Sequence, residues 1–203
     1  MTMPIIQLVD LAFDYQEAPL LHDINFQLDA GDLLHIQGAN GAGKTTLLKL
    51  LAGLHHPSHG AIKYKEKLIY DDLADYQHNL CFVGHKTGIS PYLTIQENCY
   101  FDIHYQTNNN LQEPIAAFKL DKHLNTLCGS LSAGQKRKVG LLRLWFSNAM
   151  LWLLDEPFVA LDEQALTVLI DKIKQHREKG GVVILTSHQS LPIEPSTYRN
   201  YFL

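Results

Sequence analysis

Cysteine is scarce: Cys81, Cys99 and Cys128 are an odd number with no C-x-x-C spacing. No cysteine metal site follows from them, and a reduced, cytosolic setting is the simplest fit. Long apolar runs are also missing. The best stretches, 139–154 and 182–187, are too short or are broken by Arg143 and Ser147, whereas a bilayer-spanning helix needs about 20 apolar residues. Work at a membrane would therefore require a partner that supplies the spanning helices. The opening Met1-Thr2-Met3-Pro4 lacks a basic segment followed by an apolar one, so no secretory leader is expected. Charge of one sign is not in excess either: 17 Lys+Arg stand against 21 Asp+Glu, a net charge of −4, and no basic stripe stands out. Nucleic acid is not an expected partner.

What is present suffices for one independently folding domain of 203 residues, 46% of them hydrophobic. Its most informative stretch is Gly38-Ala39-Asn40-Gly41-Ala42-Gly43-Lys44-Thr45, followed by Thr46. The form G-x-x-x-x-G-K-T turns backbone N–H groups onto a phosphate chain, places a lysine on the outer phosphates and a threonine hydroxyl on Mg²⁺. The apolar run 32–37 reads as a strand before it, and 45–54, with leucines at 47, 48, 50, 51 and 54, reads as a helix after it. That helix would aim its N-terminal dipole and free N–H groups at the phosphates.

Residues 5–15 and 24–28 alternate apolar and polar side chains and predict strands of an antiparallel layer. Tyr15 ends the first of them, as a ring available to stack on a base or as an ordinary strand-end tyrosine. Further strands are expected at 60–64 and 79–84, with a helical link at 71–77. His55, His56 and His59 cluster in one loop, either as a metal site or, lacking a companion carboxylate or cysteine, as solvated loop residues. From 86 to 147 the pattern turns helical: Thr94-Ile95-Gln96-Glu97 is a capping box opening a run to about Tyr105, the polar turn 107–110 follows, and a short helix is expected near 112–118. This reads as a small helical subdomain, about 86–147, inserted into a core made of 1–85 and 148–203.

Leu131-Ser132-Ala133-Gly134-Gln135 introduces a helix expected to continue to about Ser147. Ser132 and Gln135 have the form of a capping box. Lys136, Arg137 and Lys138 in the first turns oppose the helix-dipole preference, a conflict an external anion would relieve. Met150 to Leu154 is an apolar run ending in Asp155-Glu156-Pro157, as in a buried parallel strand that meets a site at its C-terminal end. Alternation along that strand would send the two carboxylates different ways, Asp155 to Mg²⁺ and Glu156 to an attacking water. A helix over 163–178, a Gly180-Gly181 stop and a second buried strand at 182–187 lead to His188, at the same sheet edge.

The order of these motifs resembles that of the ATP-binding-cassette ATPases over nearly the whole chain. The resemblance implies an α/β P-loop core with an antiparallel layer and an inserted helical subdomain. It makes the cradle the Walker A motif, Leu131 to Gln135 the signature loop, Leu151 to Asp155 Walker B, Glu156 the general base, His188 the switch histidine and Asp162 part of the D-loop. Tyr15 falls where the adenine-stacking aromatic belongs. The resemblance further implies ATP and Mg²⁺ as ligands and a head-to-tail dimer, in which Ser132 and its neighbours face the ATP of a second copy.

One position departs from the pattern. Gly84-His85-Lys86 stands where most of the family has a glutamine that touches Mg²⁺ and the membrane partner, so the implied role of that loop is open. A neutral His85 imidazole can hydrogen-bond the water or bind the metal weakly, and would make activity sensitive near pH 6–7. With Leu142-Arg143-Leu144-Trp145, Leu151-Trp152, the His176 and Gly180-Gly181 pair and Thr186-Ser187-His188-Gln189, that loop resembles the haem exporter ATP-binding subunits of bacterial cytochrome c maturation. This closer resemblance implies an integral membrane permease as partner, a place on the cytoplasmic face of the inner membrane, and a link to haem and a periplasmic haem chaperone. The alternative is a soluble cassette acting as an ATP-controlled clamp or assembly factor, for example in iron–sulfur cluster assembly.

Overall fold

A computed structural model describes residues 3–15, 18–102 and 110–203. The expected end of one helix at Tyr105 and the turn at 107–109 lie outside the described residues. The chain makes an antiparallel sheet from β1 (Ile6–Tyr15), β2 (Ala18–Leu28), β4 (His59–Tyr64) and β5 (Lys67–Leu68), in the order β2-β1-β4-β5. A parallel sheet has the order β6-β7-β8-β3-β9, built from β6 (Leu80–Val83), β7 (Leu151–Asp155), β8 (Val182–Thr186), β3 (Leu33–Gln37) and β9 (Arg199–Phe202). The α/β architecture with an antiparallel layer is the one the sequence implies.

Helix α1 (Lys44–Leu51) lies between the two sheets. Leu47, Leu48, Leu50 and Leu51 are all fully buried, packed with Ile6, Leu8 and Leu28 of the antiparallel sheet and with Leu151, Leu153, Val182 and Ile184 of the parallel one. The alternate residues of the same strands, Trp152, Leu154, Val183 and Leu185, point to the other face and join a second core. Burial of both faces explains why these strands read as unbroken apolar runs. In β1 the register slips at Asp10, which has φ 46°, so that Leu11 and not Asp10 continues the inward row after Leu8.

Between β6 and β7 lie α3 (Ile95–Tyr100), α4 (Gln112–Ala117), α5 (Ala133–Leu141) and α6 (Arg143–Phe146). The earlier α2 (Leu73–His78) is capped by Asp72, and α3 has the expected Thr94–Glu97 capping box. The helix expected from Ser132 to Ser147 is instead two pieces, because the chain tightens at Leu142, whose N–H bonds back to Val139 O, one residue short of the α-helical partner. Helix α7 (Glu163–Glu178) buries Ala165, Leu169 and Ile173 along one stripe. The strand expected at 24–28 begins at Ala18, and β5 and β9 were not expected at all.

Candidate functional site

The loop between β3 and α1 turns through Gly41 and Gly43, with φ 84° and 96°. Gly43 holds a φ that side chains rarely adopt, and a Cβ there would lie 2.7 Å from Leu21 Cδ2, which would have to give way. No acid sits in the first turn of α1 and no side chain caps it, so its N–H groups and the positive end of its dipole face the loop uncompensated. The nearly buried Lys44 folds back, its Nζ donating to Gly38 O at 2.7 Å and Ala39 O at 3.0 Å. Its charge is thereby held at the mouth of the loop.

Opposite stands the end of β7. Asp155 is 1% exposed, and its two oxygens are divided: Oδ2 accepts from Thr45 Oγ1 at 2.9 Å and Oδ1 from Thr186 Oγ1 at 2.8 Å. Glu156 is off the strand, in a left-handed conformation with φ 52°. Its N–H donates to Thr186 Oγ1 at 3.0 Å, and its Oε2 accepts from the His188 N–H at 3.3 Å. The His188 ring stands 3.5 Å from Oε1. The two carboxylates do diverge as expected, but the reason differs: the turn at Glu156, not strand alternation, separates them.

These groups line a cavity of about 300 Å³. Asn40, Gly41 and Gly43 to Thr46 form one wall, and His85, Asp155, Glu156 and His188 the other. Gly38 and Ala39 contribute through the carbonyls that hold Lys44. Tyr15 is 59% exposed with its ring edge-on to Phe13, at 6.0 Å, and it lines no wall; neither do Leu131 to Gln135 or Asp162.

Ser132 caps α5 in a reciprocal box with Gln135, whose amide also meets His123. The basic run after it needs no external anion. Lys136 donates to Gly129 O at 2.9 Å, Lys138 pairs with Asp162, and Arg137 is buried against backbone carbonyls. Lys138 and the Ala165 N–H together hold the Asp162 carboxyl below the usual carboxylate range, and Asp162 also caps α7. His55 packs on Phe13 and His56 stacks on Tyr70. Sequence reasoning passed over Thr186 and Arg137. The first was visible as the polar end of an apolar strand, while the second was masked by the charged run around it.

The chain that builds this cavity at the C-terminal edge of the parallel sheet has relatives of known family. Residues 21–159, more than half of the chain, fit the family model for the ABC transporter domain. The chain belongs to the ABC transporter family. As an ABC ATPase it binds and hydrolyses ATP. It is 54% identical over 200 residues to the cytochrome c biogenesis ATP-binding export protein CcmA of Legionella pneumophila (strain Lens), covering 98% of this chain and 100% of that one. The protein of the same name from Escherichia coli O157:H7 is 38% identical over 203 residues, 99% of this chain and 97% of that one. Among solved structures, an ATP-binding subunit of an ABC transporter superposes with a TM-score of 0.81 at 26% identity, over 91% of this ABC ATPase and 79% of the other chain. A dimeric ATP-binding cassette in a post-hydrolysis state with ADP and Pi superposes at 0.75 over 91% and 88%, with 22% identity, a likeness of fold. No helix among the described residues is long and apolar enough to cross a membrane.

Proposed function

We propose that this ABC ATPase is the ATP-hydrolysing subunit of a membrane complex that powers haem export or haem-chaperone release in c-type cytochrome biogenesis. The pathway is supported by relatives whose names join ATP binding, export and cytochrome c biogenesis, at up to 54% identity over their full length. Those names favour it over a soluble clamp or iron–sulfur assembly factor. The partners in this reading are an integral membrane permease and a second copy of the chain, with haem and a periplasmic haem chaperone downstream. The protein would work peripherally, at the cytoplasmic face of the inner membrane.

The observation that carries the chemistry is the divergence of Asp155 and Glu156 across the cavity from Lys44. Asp155 and Thr45 offer a carboxylate and a hydroxyl, hard oxygen donors of the kind Mg²⁺ takes. Bound there, the metal would offset charge on the β- and γ-phosphates. Glu156 then acts as general base on a water, held in aim by the His188 N–H and ring. Lys44 exchanges its two carbonyl partners for phosphate oxygens, and His188 steadies the γ-phosphate. His85 lines the same wall and would hydrogen-bond the water or bind the metal weakly. Tyr15 would stack on the adenine from outside the cavity. Leu131 to Gln135 and Asp162 would face the ATP of the second copy, with 86–147 as the subdomain that carries the signature loop to it.

Glu156→Gln tests the assignment. Turnover is expected to fall by about 10²-fold or more, the usual share of a general base, with ATP affinity kept and a stable dimer favoured. Normal turnover would remove Glu156 from its role. Pulling the tagged variant from detergent-solubilised membranes with ATP and Mg²⁺ tests the pathway: a multi-span protein and a haem absorbance band are expected. Soluble partners without haem would withdraw the cargo.

A further inference from the structure

Arg137 is charged, sits in the run Lys136 to Lys138 and yet is only 6% exposed. Among the described residues, no carboxylate accepts its hydrogen bonds. Nη1 donates to Gly84 O at 2.9 Å, and Nη2 donates to Asp155 O at 2.7 Å and Glu156 O at 2.8 Å. The guanidinium of the signature helix therefore ties together the carbonyl just before His85 and the peptide units on both sides of Glu156.

A non-glycine residue held at φ 52° persists only where its surroundings over-determine it. At Glu156 both ends are held: Thr186 Oγ1 accepts from its N–H and Arg137 donates to its carbonyl. The Glu156 carbonyl also accepts from the Val159 N–H of its own turn at 3.3 Å, so Arg137 supplies the restraint that comes from another element. The first turn of α5 meets the same loop again at Gly134, where a Cβ would lie 2.8 Å from Ala160 O. Helix α5 and the turn that aims Glu156 are in contact through both backbone and side chain.

We propose that Arg137 is a positioning residue for ATP hydrolysis, a latch by which the signature helix fixes the aim of the Glu156 carboxylate and the seat of His85. It lines no wall of the cavity itself. A shift of α5, such as engagement of its N-terminus by another subunit would cause, is passed through one guanidinium to the general base. This inference rests on Glu156 being that base. A planar fork is needed, because its donors reach diverging carbonyls at fixed angles, which a lysine ammonium cannot reproduce.

The test is a double-mutant cycle on the full chain, with Arg137→Lys and Arg137→Gln each made alone and with Glu156→Gln. Single-turnover hydrolysis, ATP affinity and melting temperature are measured for every variant. The expected result for Arg137→Lys is a loss of at least tenfold in the rate with ATP affinity within about threefold. In the Glu156→Gln background the same change should cost less than twofold, because residues that act as one unit are not additive. Multiplied losses in the double variant, loss that tracks ATP affinity, or near-normal rates in both single variants would each overturn the latch. Failure of both single variants to fold would also overturn it, by assigning Arg137 to the core alone. Normal hydrolysis in Glu156→Gln alone would instead sink the general-base reading, so the two failures are distinct.

Discussion

Burial lowers the pKa of two histidines at the parallel sheet. His176 stacks on Trp152 with ring centroids 3.7 Å apart, and burial pushes its pKa down to about 4. A histidine depressed in the folded state stabilises the protein fully above its unfolded value near 6.5 and loses that contribution as pH falls towards 4. Urea unfolding is therefore expected to show stability declining over that window, on the order of 1–3 kcal/mol in all. His176→Asn should flatten that part of the profile; an unchanged slope would assign the decline to other groups. His35 is likewise kept neutral by burial, with Nε2 on Ser187 O and Nδ1 on the Gln37 amide. At this scale the cradle and the two carboxylates were legible because each is a local pattern. Arg137 was not, since whether a charge in a basic run is solvated or buried is decided by residues far along the chain.

Among elements, α1 carries the most structural weight per residue. Its leucines are shared by both sheets, and it sets where Lys44 and Thr45 stand. Leu48→Ala should cost about 2–5 kcal/mol, read from denaturant midpoints, because neither sheet can close on the void without moving the other. A loss below about 1 kcal/mol would mean that α1 is less tightly held than its burial implies. The sequence announced long elements such as α7 and also short ones such as β6, α2 and α4. The two-residue β5 and the four-residue β9 carry too little periodicity to be read locally. The break at Leu142 follows from i→i+3 bonding in a stretch whose leucines read as one continuous helix.

For the whole molecule, Leu131 to Gln135 lie outside the walls of the cavity that Lys44, Asp155 and Glu156 line. If the loop serves a second copy, specific ATPase activity of the purified chain should rise with protein concentration and level off once dimers dominate. Activity proportional to protein across the whole range would instead make each copy self-sufficient. The antiparallel layer, the parallel sheet and the place of the site at its C-terminal edge were all legible from motif order, because each motif demands a strand or helix beside it. The sheet order was not, since neighbours far apart in sequence are joined by packing alone. That order has a consequence for synthesis. β3, which leads into the phosphate loop, is made within the first 37 residues, yet its neighbours in the sheet are β8 and β9, which end at Thr186 and Phe202. Synthesis past β7 has therefore produced the whole loop from Gly38 to Lys44 but neither of the strands that flank β3. A chain cut short before β8 would leave β3 without either neighbour, so the loop from Gly38 to Lys44 is expected to lose the sheet that supports it.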